Sequence, residues 1–410
     1  MNIAVNQFNI TKVFFTIFLL ELFLGGAGRL TTFGALTLRM YLFIIGMVLL
    51  VFLLFKGAKI TRMTTVVTLT FTCLFMIAIE RGLFNSGDYS YLFADVKMLL
   101  FFFILPLFDV AITHYSDVDK IIKLLKIAAF ILAVFYFIFL IILHFEIYSF
   151  TTIWLALSKP EYHKEFGFRG EVAMVYKGFI YLCVGFFFFF FEKRSLKSIL
   201  LATFVFAAVI LTLSRAFILL IFLLTITYIL YKVVFSRKNK TLNITVISLI
   251  IIGGSLVVPR AIEMLGDKSE SDVIRVLQVT QVVDMVNPIS FLIGHGFGVG
   301  TEIRPGHMEI MYLEIFHKQG LLGIAFWLAL LIYIIIKYYN YYRYCKEKGL
   351  EDKLNAKAFL YGTIFIYAQS LFNPFLTNSM GLTFLFITLI VFENLKKFNE
   401  EKNISLHSDL

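Results

Sequence analysis

Ile127-Ala128-Ala129-Phe130-Ile131-Leu132-Ala133-Val134-Phe135-Tyr136-Phe137-Ile138-Phe139-Leu140-Ile141-Ile142-Leu143 carries no ionisable carboxylate, amine or guanidine. Lysines precede it, and Glu146 follows a few residues beyond its end. A stretch of roughly 20 apolar residues is the length needed to cross about 30 Å of hydrocarbon as a helix. The segment from 127 to 149 therefore reads as a membrane span. The same pattern recurs along the 410 residues, of which 60% are hydrophobic, 16% charged and 49 are Phe. A water-soluble domain of this composition would expose far too much apolar surface, whereas a lipid solvent removes the difficulty.

Twelve spans follow from hydropathy: 13 to 28, 36 to 55, 63 to 79, 97 to 113, 127 to 149, 172 to 191, 198 to 213, 216 to 235, 242 to 259, 320 to 336, 358 to 373 and 380 to 394. The first run ends in small residues that imitate a signal-peptide cleavage site. Glu21 breaks its apolar stretch and Lys12 is a thin basic lead-in, so it reads as an uncleaved span. The expectation is an all-α polytopic protein, residues 1 to 410 forming one membrane domain. Cys73, Cys183 and Cys345 offer neither a disulfide framework nor metal-ligand spacing.

An even number of spans puts both termini on one side. With that side cytoplasmic, 23 of the 37 basic residues fall in short inside segments, as the positive-inside rule asks. The two sides differ in kind as well as number. The inside set holds 19 Lys and 4 Arg, the outside set 6 Lys and 8 Arg. Topology does not distinguish the cations, but phosphate recognition does, because guanidinium presents a planar bidentate fork and ammonium a hydrated point charge. An outer face rich in arginine points to a bound anion there.

Two outward loops are long, 150 to 171 and 260 to 319. In the second, Ser269-Glu270-Ser271-Asp272 reads as a helix start, followed by an amphipathic stretch through Val273, Val276, Leu277, Val279, Val283 and Val286 that suits a surface helix better than a span. Asn287-Pro288 ends it. Gly294-His295-Gly296-Phe297-Gly298-Val299-Gly300 lacks the strand-helix context of a dinucleotide loop, so its glycines point to close backbone approach or a tight turn. Glu314 and Lys318 have the spacing of a helical ion pair. Glu309 and His307 show no obvious local partner, which leaves them as candidates for proton transfer.

Three pieces of this sequence resemble the O-antigen polymerase (Wzy) family, within the O-antigen ligase and polymerase superfamily. Leu211-Thr212-Leu213-Ser214-Arg215-Ala216 looks like that family's Ser-Arg turn between two spans. Arg275, Asn287-Pro288 and Gly294 to Gly298 look like its arginine, helix and glycine-rich pattern. Tyr312-Leu313-Glu314 with Gly320-Leu321-Leu322-Gly323 looks like the approach to the span after the large loop. The likeness lies in residues ~150 to 330. The sequence departs from it in having no long-spaced Arg to Gly repeat after Arg169 or Arg275. Glu309 stands where ligases of the superfamily commonly carry histidine, which favours a polymerase over a ligase.

The resemblance implies a GT-C-like, inner-membrane glycosyltransferase with its site facing the periplasm and both termini in the cytoplasm. It further implies transfer of a growing glycan from undecaprenyl pyrophosphate to a lipid-linked repeat unit, and a chain-length regulator protein among the partners. No nucleic acid, metal or other cofactor is expected. On this reading Glu309 or His307 takes the acceptor proton, and Arg215, Arg275, Arg304 and Arg169 hold the diphosphate. The alternatives are an O-antigen ligase acting on lipid A-core and, from another class, a lipid-linked oligosaccharide flippase or transporter.

Overall fold

The computed structural model describes residues 2–34, 36–85, 88–159, 162, 165–192, 195–235, 269–352 and 354–408. The expected span 242 to 259 lies outside the described residues. Each of the other expected spans overlaps helical structure, beginning with Asn2–Leu24, Leu38–Phe55 and Arg62–Asn85. Six helices among the described residues are long and apolar enough to cross a membrane, and Ser379–Glu393 with its bent continuation makes a seventh. The difference from twelve lies partly in length. Phe179–Phe190 and Leu196–Leu211 are apolar but short, and at 1.5 Å per residue neither covers the full hydrocarbon thickness alone.

The fold is not purely helical. Phe166–Arg169 pairs antiparallel with Ala173–Tyr176, and a smaller hairpin joins Thr32–Phe33 to Leu36–Thr37. The larger hairpin occupies the residues expected to begin the span at 172, which shortens that helix to a start at Phe179. Its first strand alternates half-buried and exposed residues, the period of a sheet, while its second is buried at Ala173, Met174 and Tyr176.

Two helices form the centre. Ser379–Glu393 is buried through Met380 to Phe392, and Phe179–Phe190 is buried from Phe179 to Phe189. A helix apolar all round is stable only when surrounded. The phenylalanine run from Phe186 is therefore packing material, with Phe188 edge-on to Phe359 at 4.9 Å and Phe187 beside Phe365. Around this centre, Phe71 stacks on Phe102 at 3.8 Å and Trp327 is wholly buried against both. The peripheral helices turn Val48, Leu69, Ile138 and Leu223 outward, a lipid-facing stripe in a membrane protein.

Polar contacts sort by end. At one end Lys12 meets Asp117, Thr61 donates to Asp109, Lys126 meets Glu192, and Glu401 accepts from the Tyr115 backbone. At the other, Glu165 accepts from the backbone of Ala27 and Arg29, Ala78 from Phe297, and Ser370 from Met311. These are the two sets of segments that charge patterning assigns to opposite sides. Just beneath the second end, Arg39 grips Glu21 through Nε at 2.9 Å and reaches Ser379 at 2.7 Å, tying two peripheral helices to the central one.

The glycine run makes the close approach expected of it. Gly294, Gly296 and Gly298 all have positive φ, and a Cβ on Gly82 would lie 2.1 Å from the Phe297 carbonyl oxygen. Ala in place of Gly normally stabilises a helix by ~0.5 to 1 kcal/mol. Gly82→Ala is expected to do the opposite, costing ~1 to 3 kcal/mol by prising the loop off the Arg62–Asn85 helix. Thermal unfolding in detergent checks the sign.

Candidate functional site

The loop from 294 to 310 closes over the helix end at Tyr89–Leu99, whose Asp88 caps it by accepting from Ser90. That helix places Asp95 under the loop, where its Oδ2 accepts from the Gly298 backbone at 2.8 Å. The long helix Met311–Lys348 brings Glu314 and Lys318 to the same point. Lys318 Nζ lies 2.6 Å from Glu314 and 2.8 Å from Asp95, and all three side chains are 3 to 4% exposed. The helical ion pair is present, and it contains a second carboxylate from elsewhere in the chain. Lys318 also donates to the Gly306 carbonyl, fixing the loop from above.

His307 completes the group. Its Nδ1 is 3.0 Å from Glu314 Oε1 and 3.4 Å from Asp95 Oδ1, while the side chain remains 45% exposed. Asp95, His307 and Glu314 offer ligand atoms within 4.8 Å of one another, as a metal site would. Lys318 sits on both carboxylates, so its ammonium already supplies the cation that such a cluster needs.

Glu309 is not without partners. Its Oε2 accepts from Arg275 Nε at 3.2 Å and its Oε1 from Arg304 Nη2 at 2.7 Å. Arg275 comes from the helix Ser269–Met285, which turns Val273, Val276 and Val283 outward. The opposite face carries Arg275, Gln278 and Gln281. Gln278 accepts from the Glu309 backbone and Gln281 from that of Ile303, so this face holds the loop from 301 to 309. Of the six residues singled out from sequence, four thus gather in two groups at one loop: His307, and Arg304 with Arg275 from the adjoining helix around Glu309.

The other two meet elsewhere. A cavity of about 320 Å³ is lined by Arg169 from the hairpin and Lys177 just after it, by Ser214 and Phe217, and by Asn373 and Asn378. Arg215 starts the helix Arg215–Phe235 directly after Ser214. Burial, and then the like charge of Arg215, hold the Arg169 guanidinium below its ordinary value. No carboxylate forms an ion pair with Arg169 among the described residues. Glu165 also lines the cavity, but its two oxygens are taken by Ala27 and Arg29. The segment 370 to 378 runs between the two regions: Asn373 faces the cavity, while Thr377 lies beside Asp95 and Lys318.

Hydropathy could not reveal Asp95, Glu165 or Lys177 as site residues. The one signal for Asp95 was a carboxylate two residues ahead of the expected span 97 to 113, close to a membrane boundary. A second group, half-buried His295 and buried His317 with ring centres 4.7 Å apart, lies behind the loop; burial and then Arg81 keep the His295 imidazole below its ordinary value.

Fold and site together define a polytopic helical membrane protein with a cationic cavity and a charged loop cluster at one end. The chain is 28% identical over 404 residues, 97% of its own length and 98% of the other's, to an O-antigen polymerase of Shigella flexneri. The likeness read from residues 150 to 330 therefore runs almost end to end and supports assignment to the O-antigen polymerase family. No protein-family model matches the chain.

Proposed function

We propose that the protein is a bacterial surface-polysaccharide polymerase that transfers a growing glycan from undecaprenyl pyrophosphate to a lipid-linked repeat unit at the periplasmic face of the inner membrane. One observation carries this reading: the cavity brings Arg169, Lys177 and the N-terminal end of the Arg215–Phe235 helix together. A helix N-terminus is the positive end of the helix dipole, so a cation placed there is unfavourable by itself. An anion in the cavity reverses that sign and is held by bidentate guanidinium as well. A lipid diphosphate is an anion of the right charge.

In the reaction, the acceptor hydroxyl forms a bond to the anomeric carbon as the bond to the diphosphate breaks. The lipid diphosphate leaves with the electron pair, and the hydroxyl proton passes to a base. Fixed positive charge stabilises the leaving group without reorganisation. His307 is the better base, since both Glu309 oxygens are committed to arginines. Arg275 and Arg304 stand beside it as the second cationic group. Lys318 fills the cation position between Asp95 and Glu314, which supports a reading in which the arginines serve the diphosphate without a metal.

Purified protein in liposomes, given only lipid-linked repeat units, is expected to build a ladder of products. The ladder should persist in excess chelator. Transfer only when lipid A-core is added would identify a ligase instead, and movement of the lipid without new linkages would identify a flippase. A ladder abolished by chelator and restored by a divalent ion would overturn metal independence.

A further inference from the structure

The buried group beneath His307 is larger than a general base needs for solubility or packing. Its charges are two carboxylates and one ammonium, a net of minus one, drawn from two helices: Asp95 on the Tyr89–Leu99 helix, and Glu314 and Lys318 on the long helix, with the Gly306 carbonyl of the loop as a further partner of Lys318. Among the described residues, His307 is the ionisable nitrogen that faces both carboxylates besides Lys318. A carboxylate facing Nδ1 accepts a hydrogen, which fixes the tautomer with the proton on Nδ1 and leaves Nε2 as the acceptor nitrogen. The same oxygens then face the imidazolium that forms when Nε2 takes a proton.

We infer that Asp95, together with Glu314 and through Lys318, is a positioning residue that sets the tautomer and orientation of His307 for proton abstraction from the acceptor sugar hydroxyl. This rests on the reading of His307 as the base. Lys318 has a specific part: it stops the two carboxylates repelling each other and shares itself between them, so both keep oxygens near Nδ1. Asp95 also anchors Gly298, which couples the position of the glycine loop to the same imidazole.

The test uses full-length protein in liposomes with lipid-linked repeat units, following initial rate, KM and pH dependence. Asp95→Asn is expected to lower kcat about 10- to 100-fold with little change in KM, and to alter the acid side of the pH profile. His307→Gln is expected to lose 10²- to 10⁴-fold, the usual range for a general base. In the His307→Gln background, adding Asp95→Asn should cost nothing more, because a residue acting through His307 has nothing left to position. A further loss there of the same size as in the parent would assign Asp95 a purely structural part and overturn the inference. Full activity of His307→Gln would instead remove the base reading itself. If Asp95→Asn fails to fold, Glu314→Gln carries the same comparison: an unchanged rate and pH profile in that variant overturns the inference, and a loss seen only while His307 is intact, and absent when His307→Gln is added, supports it.

Discussion

Lys318→Met is expected to lower the unfolding free energy by ~3 to 5 kcal/mol, the usual consequence of leaving buried charge without its partner. The side chain is 4% exposed and serves two carboxylates that are each 3% exposed. Removing the ammonium leaves Asp95 and Glu314 facing each other without a cation between them. Neither can turn to water without breaking other bonds: Asp95 holds the Gly298 backbone and Glu314 that of Met308. The loop from 294 to 310 should therefore loosen along with the global loss. Thermal unfolding in detergent measures the first effect and protease sensitivity of the loop the second. Adding Glu314→Gln to Lys318→Met is expected to recover part of the lost stability, because a buried pair removed together costs less than one partner removed alone. A Lys318→Met protein as stable as the parent would mean that water reaches the cluster and that the charges are screened.

How much of this was visible in the sequence depended on distance along the chain. The apolar, helical character of the chain was legible because hydropathy is a local sum, though the number of full-length spans was not, and the pairing of Glu314 with Lys318 was legible because a helix brings residues four apart together. The close approach at Gly296 was also legible, since glycines without a dinucleotide context serve chiefly to admit another backbone. What joined Asp95 to Lys318 was not, as 223 residues separate them. Glu309 looked solitary for the same reason: Arg275 lies 34 residues back, on a helix whose direction only the fold supplies. The hairpin at 166–176 carried a signal that was overridden. Phe166-Gly167-Phe168-Arg169 and Ala173-Met174-Val175-Tyr176 have strand composition, but the apolar run that follows absorbed the second strand into a span. The phenylalanine tract had no readable face, because residues buried all round leave no periodicity.

Arg215→Lys is expected to reduce polymerisation about 10²- to 10³-fold, the loss that follows when one preorganised donor to a developing anion is removed. The turn that presents Arg215 is unusual for its residues. Leu213 has φ of 51°, a conformation uncommon for a branched side chain, and three contacts enforce it. Tyr136 donates to the Leu211 carbonyl at 2.6 Å, Thr212 to that of Val209 at 2.7 Å, and the Ser214 backbone to Thr212 Oγ1 at 3.3 Å. Strain of this kind, of order 1 kcal/mol, persists where the surroundings over-determine it. The geometry places a guanidinium at a helix N-terminus and beside Arg169, two arrangements that electrostatics opposes. Lysine preserves the charge and so preserves both costs, but gives up the planar fork that would grip a diphosphate at two oxygens. If Arg215 merely reached the membrane interface with its charge, lysine would serve as well and long chains would still form in cells. A short-chain or single-unit product from Arg215→Lys, with protein level and unfolding temperature unchanged, assigns the strained turn to anion binding. The same experiment on Arg169→Lys should give a smaller loss, since Lys177 lines the cavity beside it and retains part of the field. Equal and complete activity in both variants would move the diphosphate to the Arg275 and Arg304 group, where Glu309 would first have to release them.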